Sequence, residues 1–175
     1  DRAFDYEVQL KAVKPEEVLG SRREAEFDTS ASDELRKKTI LVTGGGGSIG
    51  SEICRQIIRY QPDKIVLLEL NELAIYNIEQ ELNETLEETK KEIETYYYLG
   101  SVTDDVILTQ IFEEHEIDII YHAAAYKHVP IIENNVISGV KNNVFGTKLI
   151  ADFANQFNVK KFVLISTDKA VRPTN

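Results

Sequence analysis

The stretch that decides the fold is Thr43-Gly44-Gly45-Gly46-Gly47-Ser48-Ile49-Gly50, which separates an apolar run from a stretch with helical spacing. Its glycines recur as Gly44-x-x-Gly47-x-x-Gly50. At this spacing the first glycine permits a tight turn, the second lets a pyrophosphate approach the backbone, and the third lets the helix pack closely on the strand. The start of the helix would present free N–H groups to the phosphates. Glycine-rich turns also occur in plain loops and in methyltransferases, so the rest of the chain has to support this interpretation.

Apolar runs and helical spacing alternate along the chain on both sides of this loop. The apolar runs predict strands at Thr39–Val42, Lys64–Leu68, Ile93–Leu99, Ile117–His122 and Lys161–Ile165. The helical spacing predicts helices at Ser48–Tyr60, Asn71–Lys90, Asp104–His115 and Val136–Phe157. Short strands that are almost wholly apolar are buried on both faces, as in a parallel sheet covered by helices. The sequence therefore predicts an α/β fold, a doubly wound parallel sheet of the Rossmann type.

The composition indicates one globular domain and limits its partners. The chain has 175 residues, of which 42% are hydrophobic and 29% charged, enough for a core and a solvated surface. We interpret residues 1–31 as an irregular N-terminal arm and residues 32–175 as the domain. The formal net charge of -10, with no cluster of Lys and Arg, argues against a nucleic-acid partner. The single cysteine, Cys54, leaves no disulfide and no thiol-based zinc site, so a reducing compartment and no metal are expected.

The second predicted strand ends at a carboxylate, Glu69, nineteen residues past Gly50. At this place a carboxylate can accept hydrogen bonds from both hydroxyls of an adenosine ribose, whereas it repels a ribose 2′-phosphate. This favours NAD over NADP as the cofactor. The alternative is that Glu69 is an ordinary surface carboxylate.

Two further segments follow predicted strands at the same edge of the sheet. Gly100-Ser101-Val102-Thr103-Asp104 lies where an adenine ring would be bordered, and Asp104 fits either that border or the N-cap of the next helix. Ala123-Ala124-Ala125 follows the fourth strand, and its small side chains would let a dinucleotide lie across the strand ends. The same alanines are also compatible with a role in packing alone.

Four ordered motifs carry a resemblance to a known family. They are Val42 to Gly50, His122-Ala123-Ala124-Ala125-Tyr126-Lys127-His128-Val129-Pro130, Asn142-Asn143-Val144-Phe145-Gly146-Thr147 and Ser166-Thr167-Asp168-Lys169-Ala170. With them the chain, from about Val13 to Asn175, resembles the extended short-chain dehydrogenase/reductase superfamily. It is most similar to the nucleotide-sugar 4,6-dehydratases of the capsular polysaccharide biosynthesis type, in their long, membrane-anchored form.

The resemblance implies a cofactor site and a catalytic triplet. The cofactor would contact Gly44, Gly47, Ser48, Ile49, Gly50, Glu69, Ser101, Val102, Ala123, Ala124, Ala125 and Asn143. Asn143 resembles the superfamily's structural asparagine near the active site. In such dehydratases the sugar is oxidised at C4, loses water across C5 and C6, and is reduced at C6. Thr167 would bind the C4 hydroxyl, Asp168 would be the acid and Lys169 the base.

These catalytic roles set a requirement on the two charged residues. Asp168 must be protonated and Lys169 neutral near pH 7, which requires burial or neighbouring groups to raise the pKa of the acid and lower that of the base. An ion pair in a loop is the alternative. Lys127 and His128 are candidates for contact with the diphosphate or the sugar, although His128 also fits an ordinary loop position. His122 is expected to be buried and structural.

The resemblance also bears on the whole protein. Relatives continue with a Tyr-x-x-x-Lys or Met-x-x-x-Lys segment and a sugar-binding part, so we expect this chain to be an excised domain without turnover. The longer protein would be held at the cytoplasmic face of the bacterial inner membrane, with UDP-N-acetylglucosamine as the implied substrate and homo-oligomers possible. The alternatives are a nucleotide-sugar 4-epimerase, a non-catalytic NAD-sensing Rossmann module and, more distantly, a methyltransferase.

Overall fold

The computed structural model describes residues 33–166. The predicted N-terminal arm, residues 1–31, and the triplet Thr167-Asp168-Lys169 lie outside the described residues. Within them the strands are β1 Thr39–Thr43, β2 Lys64–Glu69, β3 Glu94–Leu99, β4 Ile119–His122 and β5 Lys161–Leu164. All neighbouring strands pair in parallel, in the order β3-β2-β1-β4-β5. This confirms the predicted α/β fold with a doubly wound parallel sheet.

The helices fill the connections between the strands. They are α1 Ser48–Ile57 with a 3-10 turn at Ile58–Tyr60, α2 Glu72–Thr89, α3 Asp105–Glu114, α4 Val129–Glu133, α5 Val136–Val140 and α6 Thr147–Gln156. A π-helical segment, Lys141–Gly146, joins α5 to α6. The predicted single helix Val136–Phe157 is therefore interrupted by a wider turn. The short helix α4 was not predicted from the sequence.

The core consists of two layers, one on each face of the sheet. Alternation along β1 directs Ile40 and Val42 to the layer formed with α1 and α2, while Leu41 faces the layer formed with α3 and α6. All three side chains are fully buried. Burial of a side chain of this size contributes about 1.5–3 kcal/mol. Because both faces of the central strands need apolar residues, the strands read as continuous apolar runs in the sequence.

The thiol of Cys54 belongs to the first of these layers. It lies on α1 and is fully buried. Burial raises the pKa of the thiol to about 12, so the group is protonated and unreactive as a nucleophile in the folded protein.

The strand order places a crevice at the carboxyl ends of β1 and β4. The chain leaves β1 toward β2 on one side, whereas β4 lies on the other side of β1. In register, Thr43 at the end of β1 lies opposite Leu68 of β2 and His122 of β4. Open α/β sheets bind ligands at such a switch in strand order. In residues 33–166 no helix is both long enough and apolar enough to cross a membrane.

Candidate functional site

The glycine loop begins with a turn that only glycine fits well. Gly44 has φ +69°, a left-handed conformation, and a Cβ there would lie 2.8 Å from the backbone of Ala123 and Ala124. The Gly44 N–H donates to Leu68 O at 2.8 Å, and the Gly47 N–H donates to Gly44 O at 3.0 Å. The loop thus lies against both β2 and the segment after β4.

The other two motif glycines have different surroundings. A Cβ on Gly50 would lie 2.0 Å from Gly44 O, so α1 can approach the loop only because this residue has no side chain. A Cβ on Gly47 would meet only Gly44 O, at 3.3 Å. Gly47 precedes α1 in extended conformation and borders the crevice. Its missing side chain therefore leaves space for a ligand at the start of α1, where the first backbone N–H groups have no acceptor within the helix.

Glu69 is tied to the glycine loop. Its Oε2 accepts from the Gly46 N–H at 3.0 Å, and its Oε1 accepts from the Asn71 N–H at 2.9 Å. The carboxylate ends β2 and borders the crevice. Each oxygen has lone pairs beyond the one that these contacts use, so the carboxylate can still accept hydrogen bonds from a ligand.

The crevice forms a first cavity of about 390 Å³ over the ends of β1, β2 and β3. Its lining includes eight residues that the sequence assigned to cofactor binding: Gly44, Gly47, Glu69, Ser101, Val102, Ala123, Ala124 and Ala125. It also includes residues that sequence reasoning did not assign: Leu68, Leu70, Asn71, Gly100, Tyr126 and Asn142. Tyr126 and Asn142 stand inside the motifs quoted above, so their position in those motifs was the signal that could have identified them.

The segment after β3 forms one end of this cavity. Val102 is buried, and the Ser101 hydroxyl lies 2.9 Å from the hydroxyl of Thr103 and accepts from the Thr103 N–H at 3.1 Å. Asp104 instead caps α3, because its Oδ1 accepts from the Val106 N–H at 3.0 Å. Asp104 is absent from the described lining of the cavity. Of the two roles left open for Asp104, the structure therefore favours the helix cap.

A second cavity of about 710 Å³ continues past the alanines. It shares Ala123, Ala124, Ala125 and Tyr126 with the first cavity and extends to Ile49, Lys127, His128, Asn143, Thr147, Leu164, Ile165 and Ser166. The Ile49 side chain is exposed at its edge. Together the two cavities make a groove across the strand ends, which is the shape an extended two-part ligand requires.

The floor of the second cavity contains a buried histidine. His122 Nδ1 lies 2.6 Å from the hydroxyl of Thr43, and Nε2 lies 2.9 Å from the hydroxyl of Thr147. Burial lowers the pKa of His122 to about 4, so the ring is neutral near pH 7. It connects β1, β4 and α6 at the place where the groove crosses the sheet. The expectation that His122 is buried and structural agrees with this geometry.

Lys127 and His128 lie on the loop after β4. The Lys127 ammonium donates to the Ser48 hydroxyl at 3.3 Å, which holds a positive charge at the start of α1. His128 directly precedes α4, is exposed, and makes no side-chain cap to that helix. Both border the second cavity, but only Lys127 contacts the glycine loop region.

Asn143 fixes the backbone of this loop. Its Oδ1 accepts from the Tyr126 N–H at 2.8 Å, and its Nδ2 donates to Tyr126 O at 2.9 Å. The residue lies in the π-helical segment between α5 and α6. Asn143 also borders the second cavity, and its contact with the cofactor stays a prediction. Its observed contribution to the site is the position of Tyr126.

The comparisons with known proteins agree with this geometry. The family model described as "Polysaccharide biosynthesis protein" matches residues 40–175. The capsular polysaccharide biosynthesis protein CapD of Staphylococcus aureus is 47% identical over 167 residues, which cover 95% of this chain and 27% of that protein. A UDP-N-acetylglucosamine 4,6-dehydratase (inverting) of Campylobacter jejuni is 34% identical over 142 residues, covering 81% of this chain and 40% of that protein.

Among solved structures, a UDP-glucose 4-epimerase of Thermotoga maritima, described with UDP-glucose, superposes with a TM-score of 0.66 at 26% identity. The match covers 78% of this chain and 40% of that one. The chain thus spans less than half the length of these relatives. The family match covers most of the chain and includes the glycine loop and the whole groove. The chain therefore belongs to the polysaccharide biosynthesis protein family.

Proposed function

We propose that the chain binds NAD in the groove and forms the cofactor-binding part of a nucleotide-sugar 4,6-dehydratase. The observation that carries the proposal is the junction of β1 and α1. There Gly47, which has no side chain to occupy the cavity, lies at the start of a helix and borders the same cavity as the Glu69 carboxylate. A pyrophosphate and a ribose diol require these groups next to one another.

The residues present fit the parts of NAD in order along the groove. The start of α1, with the Lys127 ammonium beside Ser48, suits the diphosphate. Ser101 and Val102 suit the adenine end, and Ala123, Ala124 and Ala125 leave room for the dinucleotide between the two cavities. Ile49 offers an apolar surface in the second cavity, where the nicotinamide end would lie.

We propose NAD rather than NADP because of Glu69. Its two oxygens keep acceptor capacity for the ribose hydroxyls, while a 2′-phosphate would bring negative charge against the carboxylate. In the described residues that line the first cavity no Lys or Arg would offset that charge.

The proposed reaction rests on the relatives and on the residues that follow Ser166. When bound, NAD would accept a hydride from sugar C4 and return one to C6. Thr167, Asp168 and Lys169 follow in sequence directly from Ser166, which borders the second cavity. Thr167 would hold the C4 hydroxyl, Asp168 would donate a proton to the leaving hydroxyl, and Lys169 would take the C5 proton. His122 would stay neutral in the floor of the second cavity and hold Thr43 and Thr147 in place.

The sugar and the setting of the longer protein are further parts of the proposal. The Campylobacter relative acts, by its name, on UDP-N-acetylglucosamine, and we propose the same substrate class here. Membrane anchorage, a place at the cytoplasmic face of the inner membrane, homo-oligomer formation and the lack of turnover by this chain alone stay predictions.

A 4-epimerase is the second candidate, because the Thermotoga maritima structure shares the fold. An epimerase oxidises C4 but eliminates no water, so it does not need the pair Asp168 and Lys169. Mass spectrometry of the product formed by the longer protein separates the two reactions, since dehydration removes one water and epimerisation leaves the mass unchanged.

Calorimetric titration of the 175-residue chain with NAD, NADP and S-adenosylmethionine tests the binding proposal. We expect NAD to bind most tightly and S-adenosylmethionine to give no heat. Gly47→Leu should abolish NAD binding and leave the fold intact, because the only close contact of its Cβ would be Gly44 O, at 3.3 Å, and Gly47 borders the first cavity. Asn134→Ala, outside both cavities, serves as the control. Absence of NAD binding at millimolar concentration would refute the binding proposal. Formation of a 4-keto-6-deoxy sugar by this chain alone would refute the predicted lack of turnover.

A further inference from the structure

A further cavity, of about 250 Å³, lies between α1 and α2, the two helices that share one face of the sheet. Its lining comes from both helices and reaches Gly46 in the glycine loop and Asn71 at the start of α2. We call it the interhelical cavity. Because a cavity separates the two helices here, side-chain packing alone does not set their spacing.

A forked ion pair spans the interhelical cavity. Arg55, on α1, donates from Nη2 to Oε2 of Glu81, on α2, at 2.9 Å, and its Nε donates to the other oxygen, Oε1. Two parallel bonds fix both the distance and the direction of the partners, which a single contact does not. The two side chains are 40% and 43% exposed, so the pair contributes little to overall stability. Its main effect is on the geometry of the two helices.

The interhelical cavity ends at the two residues that hold Glu69. The Gly46 N–H donates to Oε2 of this carboxylate at 3.0 Å, and the Asn71 N–H donates to Oε1 at 2.9 Å. Gly46 belongs to the loop that leads into α1, whereas Asn71 caps α2 by accepting from the Ala74 N–H at 2.9 Å. The carboxylate is therefore held between the two helices, and its position depends on how they are spaced.

The glycine loop transmits a movement of one helix to this carboxylate. A Cβ on Gly46 would lie 2.7 Å from the Cβ of Ala74, so the loop lies against α2 without a gap. Close-packed groups pass a displacement on to their neighbours. A change in the tilt of α1 relative to α2 would therefore shift Gly46 relative to Asn71 and disturb the pair of bonds that holds Glu69.

We propose that Arg55 and Glu81 are positioning residues, whose ion pair sets the spacing of α1 and α2 and thereby the direction in which Glu69 presents its remaining lone pairs to the ribose of NAD. This inference rests on the proposed NAD site. Glu69 would accept from the ribose hydroxyls of NAD but repel the 2′-phosphate of NADP. Breaking the ion pair should therefore weaken NAD binding without weakening NADP binding, and so narrow the preference for NAD.

Calorimetric titration of the 175-residue chain and its variants with NAD and NADP tests this role. Arg55→Met and Glu81→Leu should each weaken NAD binding about threefold to fivefold, the size of one partly exposed ion pair, with NADP no weaker. The double variant should lose no more than either single variant, because the bridge is already absent. Glu52→Gln is the matched control, since Glu52 is the partner of Arg55 on its own helix. It should keep the wild-type ratio of the two affinities.

The outcomes separate this inference from the proposed function. A ratio that stays at its wild-type value in the folded variants, as judged by thermal unfolding, overturns the positioning role and leaves NAD binding standing. An equal loss of both cofactors also overturns it, since that result indicates a general effect on the fold. Glu81→Gln, which keeps the shape of the side chain, carries the test if a larger change prevents folding. If the wild-type chain does not bind NAD, the proposed function fails and the inference fails with it.

Discussion

Replacing Gly50 by alanine tests whether the glycine motif reflects packing as well as ligand binding. Gly50 lies in the first turn of α1, and a Cβ there would lie 2.0 Å from Gly44 O. Real Cβ contacts almost never fall below 3.0 Å. The helix or the loop would therefore have to move by about 1 Å, because no flexible side chain is available to yield.

The size of the effect follows from what resists that movement. Gly44 is held by its N–H bond to Leu68 O and by the bond that its own oxygen accepts from Gly47. Forcing a methyl group into such a packed region costs about 1–3 kcal/mol. Alanine gains at most about 1 kcal/mol over glycine from helix propensity, and less in the first turn. We expect Gly50→Ala to lower the free energy of unfolding by about 1–2 kcal/mol.

Urea denaturation followed by circular dichroism measures this change. Gly47→Ala is the matched control, because its Cβ would meet only Gly44 O, at 3.3 Å, and should change stability little. A Gly50→Ala protein within about 0.5 kcal/mol of the wild type would refute the packing argument, since that is the ordinary range of surface substitutions. A Gly47→Ala protein as unstable as Gly50→Ala would refute the distinction between the two glycines.

Three further predictions concern Glu69, His122 and Lys127. Glu69→Gln should weaken NAD binding about tenfold and leave NADP binding no weaker, which calorimetry with both cofactors measures; an unchanged NAD to NADP ratio contradicts the ribose role. Burial lowers the pKa of His122 to about 4 from an ordinary 6.5, so the unfolded chain binds this proton more tightly and the wild type loses stability as pH falls between these values. Between pH 7 and pH 4.5 the free energy of unfolding of the wild type, measured by urea denaturation, should fall by about 2 kcal/mol more than that of His122→Asn. Equal decreases contradict a buried neutral ring. Lys127→Ala should lower NAD affinity about threefold to tenfold at low salt, with a smaller difference at high salt; equal affinities at low salt contradict its contact with phosphate.

The fold was predictable from the sequence because its signals are local. The strand order was not predicted, but the apolar runs that define β1 and β2 lie between recognisable turns. The spacing of Gly44, Gly47 and Gly50 locates the crevice. The predicted start of β4 was two residues too early, because Ile117 is buried but the strand begins at Ile119. Apolar periodicity reports burial and not the first hydrogen bond of the ladder.

The interrupted helix could not be predicted in the same way. Asn143 bonds both backbone groups of Tyr126, 17 residues earlier in the chain, within the π-helical turn. Such a pairing leaves no periodic signal. Helix α4 did have a local signal, because Pro130 stands in its first turn, where proline is favoured, but the sequence analysis assigns no element to this segment.

The candidate site was predicted in outline and not in its finer contacts. The cavity lining includes Glu69, Ser101 and Val102 as expected, because Glu69 ends β2 and the other two lie just past the end of β3. Asn142 escaped prediction because its place in the cavity wall depends on how the π-helical segment packs against Val102. The triplet Thr167-Asp168-Lys169 stays a prediction.

The thiol of Cys54 is fully buried, so its chemical labelling can report local opening of the folded protein. A thiol-labelling reagent needs the thiolate and physical access, and the folded protein provides neither while α1 stays packed on the sheet. The labelling rate would therefore follow how often α1 separates from its layer. A bound ligand at the start of the same helix should slow that rate, so one modification experiment links helix dynamics to occupancy of the groove.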